Sequence, residues 1–407
     1  MSENNNQKYI LVTGGELRNK GAQAMTFITV DQMAKQYPEY KVILFSNGDS
    51  KREKKEKDNY KFEIMPFPGF GESLSLCTGL LKRRYLKREN GKYFAQYKNI
   101  FQNAVALLDI SGYALGSKWN YNTNKGYLRR IRLAKQFNIP VFLMPQSFGP
   151  FDFKDKKSRR LNSKIRRQLS KVKVIMAREN EGKVLLEEKY GLKNVIKTPD
   201  MVLQNKGISV GNIYNNLPKI KEIIIQEESV AIIPNSKNNK FGNDKLIMEF
   251  YKEAIRLMLK KGKKIYLIFH AVEDLRICQD IKQTYFAKEE KVYLIEEELS
   301  CIDFDNMISK FDFIIGSRFH SIIHAYRKAV PSIVLGWAIK YRELADQFGQ
   351  IQYCFDCSNI DAHKEEILIK INQMCEMYKK ESEKISEGVA KIQKGNVFDL
   401  VKIKNKE

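Results

Sequence analysis

Histidine is scarce in this chain: its 407 residues include only four, so each one weighs more as a candidate for proton chemistry. Cysteine is thin as well. The six cysteines, at 77, 278, 301, 354, 357 and 375, leave a single close pair, Cys354 and Cys357, and no second pair at zinc-site spacing. Cys354-Phe-Asp-Cys357 stands without any other thioredoxin-like feature, so the cysteines read as reduced, partly buried thiols rather than a redox centre. No apolar stretch approaches the ~18 to 20 residues that cross a bilayer. The polar opening Met-Ser-Glu-Asn-Asn-Asn-Gln-Lys lacks the hydrophobic run of a secretion signal, so the expected location is cytoplasmic.

What is abundant is positive charge. Lys and Arg number 71 against 48 Asp and Glu, a formal net charge of +23. Such a field favours anionic partners, whether nucleic acid, an acidic membrane surface or phosphorylated small molecules, without choosing among them. Hydrophobic residues at 43% and charged residues at 29% exclude wholesale disorder. At roughly 150 residues per domain, the length predicts two or three domains, each able to bury its own core.

Short β-branched or aromatic runs alternate with amphipathic segments of helical length, which predicts an α/β fold with parallel sheets. The first series of strands is read at Tyr9–Thr13, Lys41–Phe45, Lys61–Met65, Ala104–Ile110, Val141–Pro145, Lys173–Met176 and Val195–Lys197. The rhythm lapses between Asn205 and Glu228, then resumes at Val230–Pro234, Lys264–Phe269, Val292–Ile295, Phe311–Ile315 and Ser332–Leu335, and a charged helix over Asp361–Lys391 closes the chain. The expectation is two Rossmann-like domains, 1–205 and 206–407, facing a cleft, with ligands at the carboxyl ends of the strands.

Five strand ends carry candidate chemistry. After the first strand, Gly14-Gly15 leads through Arg18 and Asn19 into a helix starting near Asn19 or Lys20. Glycines and free helix N–H groups suit an anion, yet a tight strand-to-helix turn explains the segment equally well. Asp109-Ile-Ser-Gly112 would line a cleft with small residues, although alone it reads as a plain turn. Met144-Pro-Gln146-Ser-Phe-Gly149-Pro150 reads as a rigid loop presenting the Gln146 amide. Arg178 follows a strand directly. The densest segment is Ile315-Gly316-Ser317-Arg318-Phe-His320-Ser-Ile-Ile-His324, followed by Gly336-Trp-Ala-Ile-Lys340-Tyr341. It sets Ser317, Arg318 and His320 at a helix N-terminus facing the cleft, where Arg can grip a carboxylate or phosphate and His can transfer a proton. His320 and His324 also stand at the i, i+4 spacing of paired metal ligands, but no third ligand is evident, so no metal is expected.

Two basic segments, Lys154–Lys171 and Lys82–Arg88, fit solvated surfaces first and contact with acidic lipid headgroups second. Aromatics do not interleave with them as a base-stacking platform requires, so no nucleic-acid partner is expected.

In their order, these pieces resemble the polysaccharide pyruvyl transferase family. The matching residues are Gly14-Gly15-Glu-Leu-Arg18-Asn19-Lys-Gly21-Ala-Gln23-Ala24, Asp109-Ile-Ser-Gly112, Pro145-Gln146-Ser-Phe-Gly149-Pro150 and Ala177-Arg178-Glu179. They continue through Pro199-Asp200, Phe269-His270-Ala-Val-Glu-Asp274, Gly316-Ser317-Arg318-Phe-His320 and Gly336-Trp-Ala-Ile-Lys340-Tyr341. The resemblance implies a GT-B-like fold and transfer of the pyruvyl group of phosphoenolpyruvate to a sugar, giving a pyruvate ketal on an exopolysaccharide, a capsule or a lipid-linked precursor. It implies His320 and Arg318 as the catalytic pair and Arg178 as a donor-binding residue. With the strand-end positions, the donor side (the C-terminal domain) gains Gly316, Ser317 and Lys340. The cleft or acceptor side holds Gly14, Gly15, Arg18, Asn19, Gly112, Gln146 and His270. The only cofactor-like partner is the donor itself; the acceptor is a saccharide, and peripheral contact with the inner membrane face is compatible. Many members carry an acidic residue where this chain has Gln23. The rival readings are a GT-B-like glycosyltransferase using a nucleotide sugar, and a non-catalytic polyanion binder driven by charge.

Overall fold

The computed structural model describes residues 7–78, 94–219, 221–236 and 244–403; Lys82–Arg88 lies outside them. Eight strands form a first sheet: β1 (Tyr9–Thr13), β2 (Lys41–Phe45), β3 (Glu63–Met65), β4 (Ala104–Asp109), β5 (Tyr113–Leu115), β6 (Val141–Phe148), β7 (Val174–Ala177) and β8 (Val195–Lys197). Six form a second: β9 (Ser229–Ile233), β10 (Lys264–Ile268), β11 (Val292–Ile295), β12 (Phe313–Gly316), β13 (Ser332–Gly336) and β14 (Cys354–Asp356). The first sheet runs β3-β2-β1-β4-β6-β7-β8 with β5 beside β6, and the second runs β11-β10-β9-β12-β13-β14. The ladders are parallel, and β4, AVALLD, is buried along its whole length, as a strand covered on both faces must be. Strand order reverses between β1 and β4 and again between β9 and β12, the positions where open parallel sheets leave a crevice for ligands.

The helices that shape that crevice are α1 (Lys20–Gln36), α2 (Leu161–Leu169), α3 (Asn180–Tyr190), α4 (Cys301–Ile308), α5 (Phe319–Arg327), α6 (Ile339–Gln347) and α7 (Ile360–Ile392). Asn19 starts α1 by accepting from the amides of Gly21 and Ala22 at 3.0 and 3.2 Å. The two halves share apolar packing: Ala24, Met25 and Ile28 of α1 belong to the same buried cluster as Cys301 of α4 and Phe319, Ile322, Ile323 and Tyr326 of α5. Gln23 joins them further, its Oε1 accepting from the Cys301 amide at 2.6 Å and its Nε2 donating to the Leu17 carbonyl at 3.2 Å. A side-chain oxygen at position 23 therefore caps α4 from the other half.

Helix α7 buries Ile367, Ile371 and Met374 in the second half, then Ile385 and Val389 in the shared cluster. Beyond it Val397, Phe398 and Val401 pack on the first half, where the Tyr37 hydroxyl donates to the Val401 carbonyl at 2.7 Å. The basic segment folds as a short turn followed by α2, with Leu161, Ile165 and Leu169 inward and Arg160, Arg166 and Arg167 exposed. The described cysteines 278, 301, 354, 357 and 375 are unbonded and buried, and burial pushes the thiols of Cys354 and Cys357 up to about 12.

One expectation is corrected. Pro145 to Phe148, read as a rigid loop, continue β6 and are buried. Proline is tolerated there because the register against β7 shifts between Leu143 and Gln146, so no ladder bond needs its missing N–H. The strand then holds both β7, at Gln146–Ala177, and β5, at Tyr113–Ser147.

Candidate active site

The first half builds its side of the crevice mainly from backbone. Gly14 has φ of +81°, and a Cβ there would stand 2.7 Å from the Ser111 Cα, so only glycine lets β1 leave beneath the β4 exit. Asp109 ties these strand ends, accepting from Thr13 Oγ1 at 2.7 Å, Arg130 at 2.9 Å and the Ser111 amide at 3.2 Å. Gly15 is buried against Thr26 and Ile110, Asn19 is occupied as a helix cap, and Arg18 is exposed. Gln146, expected to present its amide to the cleft, is buried. Its Oε1 accepts from the Tyr127 hydroxyl at 2.9 Å and its Nε2 donates to the carbonyls of Asp109 and Met144. Its role is to hold β4, β6 and the helix carrying Tyr127 in register.

From the second half, β12 ends at Gly316 and Ser317 follows it, both buried, and the Ser317 carbonyl accepts from Asn235 and Tyr341 at 3.1 Å each. Arg318 precedes α5 and grips Asp274 with two bonds, Nε to Oδ2 at 2.7 Å and Nη2 to Oδ1 at 2.6 Å, while Nη2 also reaches Glu273 at 2.9 Å. Asp274 is itself fixed by the amides of Ser236 and Ala271. His324 turns away from His320: its Nδ1 lies 3.0 Å from Asp305, which also meets Arg327 and Lys328. Among the described residues no three His, Cys, Asp or Glu side chains are grouped to hold a metal ion.

Between the halves stands His320, in the first turn of α5 and directly against Gly21 of α1. Its Nε2 lies 3.9 Å from Asp200. Asp200 is held by Arg178, whose Nη1 donates to Oδ2 at 2.6 Å; Nη2 donates to the Gly112 carbonyl at 2.9 Å and to Ser147 Oγ at 2.7 Å. The Arg178 guanidinium also covers the Phe319 ring at 4.8 Å. Burial works to raise the Asp200 carboxyl, but Arg178 and His320 hold it below the usual range. Burial lowers His320 to about 3; Asp200 opposes this, while Arg178, His324 and Lys340 lower it further. The imidazole is therefore neutral at pH 7.

Lys20 completes the interdomain contacts, with Nζ 3.2 Å from the His270 carbonyl and 4.5 Å from the Phe269 ring centroid. Burial lowers it to about 8 against the pull of Glu298 and Asp274. Glu343 of α6 crosses the cleft the other way and accepts from the first amides of α3, Asn180 at 2.7 Å and Glu181 at 3.2 Å. Several buried polar atoms here carry no hydrogen bond among the described residues: Nε2 of His320, Nε of Arg178 and both ring nitrogens of His270. Burial drives His270 well below its ordinary value, and Lys20 adds to this. Unpaired buried groups are costly, and these four stand at or near the contact between the halves.

The crevice thus gathers Arg178, Gly112, Arg318, His320, His270 and Lys340, and leaves Arg18 and Gln146 outside its polar cluster. Lys340 lies 4.7 Å from the Phe319 ring centroid and 5.8 Å from that of Tyr113. Lys20, in the sequence an aid to anion binding at the start of α1, instead reaches the His270 carbonyl; Asp200 and Asp274 stand inside the matching segments, yet the sequence assigned them no part. A carboxylate placed one strand from its arginine, as Asp200 is, or two, as Asp274 is, leaves no local periodic signal.

Two parallel sheets joined through a ligand crevice at their switch points define a GT-B-like α/β fold. Similar solved structures include a UDP-GlcNAc 2-epimerase from Methanocaldococcus jannaschii (14% identity, 91% of this chain and 93% of that one, TM-score 0.52). Others are Anabaena HepE in complex with UDP and glucose (12%, 97% and 97%, 0.53) and S. aureus TarM with UDP (11%, 97% and 99%, 0.53). No curated protein matches the sequence. The model of the polysaccharide pyruvyl transferase family matches residues 19–338, most of the chain, and the protein belongs to that family. No helix among the described residues is long and apolar enough to cross a membrane.

Proposed function

We propose that this pyruvyl transferase takes its pyruvyl group from phosphoenolpyruvate and closes it as a ketal across two hydroxyls of a saccharide. The observation that carries this reading is that Arg178 and Arg318, from opposite halves, flank His320, whose buried Nε2 accepts no hydrogen bond from the described residues and stands 3.9 Å from Asp200. Phosphoenolpyruvate brings a carboxylate and a phosphate, the two anions that arginines grip best. Asp200 and Asp274 hold the two guanidiniums in place. The donor's negative charge raises the proton affinity of His320, which delivers a proton to the enol carbon C3 and turns the methylene into a methyl group. A sugar hydroxyl adds to C2, the C2–O bond to phosphate breaks, and a second hydroxyl closes the ketal. Of the two hydroxyl protons, one replaces the proton spent by His320 and the other leaves on phosphate.

The acceptor is proposed to be lipid-linked. Arg132, Lys135, Arg167, Lys171, Lys173 and Lys402 line a groove at the amino ends of β4, β6 and β7, opposite the crevice and suited to acidic headgroups. Phosphate release from phosphoenolpyruvate, followed by ³¹P NMR with a panel of methyl hexopyranosides, tests the chemistry. His320→Ala lowers turnover by roughly 10² to 10⁴-fold with donor binding kept. Weakened binding with unchanged turnover contradicts the role.

A further inference from the structure

A cavity of 240 Å³ opens beside the crevice, between the start of β5, the carboxyl end of β6 and the turn from β13 into α6. Tyr113 and Phe148 line it from the first half and Trp337 from the second, with Glu179, Glu181 and Lys118 at the same wall. It adjoins a second cavity, of 200 Å³, that holds Arg178, Asp200 and Phe319, and the two share Glu179 and Lys340. The Lys340 ammonium lies 5.7 Å from the Trp337 ring centroid, 5.8 Å from Tyr113 and 4.7 Å from Phe319, so it forms the partition between them.

We infer that the Tyr113–Trp337 cavity is the acceptor subsite and takes one neutral pyranose ring. The inference rests on the proposed function for the neighbouring cavity as the donor side. Three properties fit a sugar. Flat aromatic faces suit the C–H face of a pyranose, and aromatics with a polar edge bury such a ligand while leaving its hydroxyls free to bond. Two carboxylates, the Ser147 hydroxyl and two ammonium groups supply both acceptors and donors for those hydroxyls. The two carboxylates balance the two lysines, so the cavity has no net preference for an anion, unlike the arginine-bearing crevice. Glu181 is exposed and its carboxylate makes no hydrogen bond or ion pair with the described residues, while Glu179 accepts from Ser147 Oγ at 2.8 Å and holds the wall.

The chain's two tryptophans both report on this cavity. Trp337 lines it, and Trp119 packs on Tyr113 with ring centroids 5.5 Å apart. Intrinsic fluorescence of the full chain, titrated with methyl hexopyranosides up to 100 mM with and without phosphoenolpyruvate, therefore reads occupancy without turnover. At least one glycoside is expected to give a saturable emission change in the millimolar range. Trp337→Leu and Glu181→Gln each weaken that binding 10-fold or more, and Glu181→Gln alters no packed side chain, so it also serves if the tryptophan variant misfolds. No saturable change with any glycoside overturns the assignment, as does unchanged affinity in Glu181→Gln and Trp337→Leu. Failure of the donor reading looks different: glycoside titrations hold, while phosphoenolpyruvate neither stabilises the protein nor releases phosphate.

Discussion

Gly21 and His320 touch across the crevice: a Cβ placed on Gly21 would stand 2.3 Å from Cγ of the imidazole. One glycine of the first half thereby sets how closely the helix bearing the proton donor approaches. Gly21→Ala must push the ring or part the halves, and overpacking of this kind costs about 1–3 kcal/mol. Turnover is expected to fall at least 10-fold, with a lowered melting temperature and unchanged secondary structure by circular dichroism. Full activity in Gly21→Ala contradicts the contact.

His320 makes the protein sensitive to acid. Its value falls from 6.5 to about 3, chiefly through burial, so below about pH 6.5 the unfolded chain binds a proton that the folded chain refuses. The contribution is complete above pH 6.5 and is lost as pH falls toward 3, amounting to ~3 kcal/mol by pH 4. Urea unfolding of His320→Gln, compared with wild type at pH 7 and pH 4, is expected to show the smaller loss in the variant. Equal losses refute the buried neutral imidazole.

Arg178 spends its guanidinium on Asp200, the Gly112 carbonyl and Ser147 while covering Phe319. Lysine keeps the charge but not the fork. Arg178→Lys is expected to raise KM for phosphoenolpyruvate on the order of 10-fold, since a hydrogen bond to a charged group is worth about 1.5–3 kcal/mol. An unchanged KM removes Arg178 from the donor site.

The strand ends were legible because parallel strands buried on both faces must be continuous apolar runs, as in AVALLD of β4. The Ser-Arg-Phe-His segment announced itself through charge beside a strand end. What decides the site's electrostatics was not legible. Arg178 meets Asp200 across 22 residues, Arg318 meets Asp274 across 44, and Lys20 meets the His270 carbonyl across 250. Such pairs arise only when sheet order brings the strand ends together. Gln146 misled for a related reason: a proline beside a polar residue looks like a loop until the β6–β7 register shift is known.

The basic groove yields a separate prediction. Sedimentation with vesicles containing anionic lipid is expected to pull down the wild-type protein at low salt, and Arg167→Glu with Lys171→Glu is expected to reduce this several-fold. Both residues line the groove remote from the crevice, so phosphate release with a soluble glycoside stays unchanged. Vesicle binding that survives the double change refutes the groove as the lipid-facing surface.

Thermal unfolding with phosphoenolpyruvate beside a panel of UDP-sugars, in wild type and Arg178→Lys, tests the donor most directly. A ligand bound only to the folded state stabilises it by RT ln(1 + [L]/Kd), about 2.7 kcal/mol at 100 times Kd. Phosphoenolpyruvate should raise the wild-type melting temperature and lose most of that effect in Arg178→Lys, with UDP-sugars inert. Stabilisation by a UDP-sugar alone would contradict phosphoenolpyruvate as the donor.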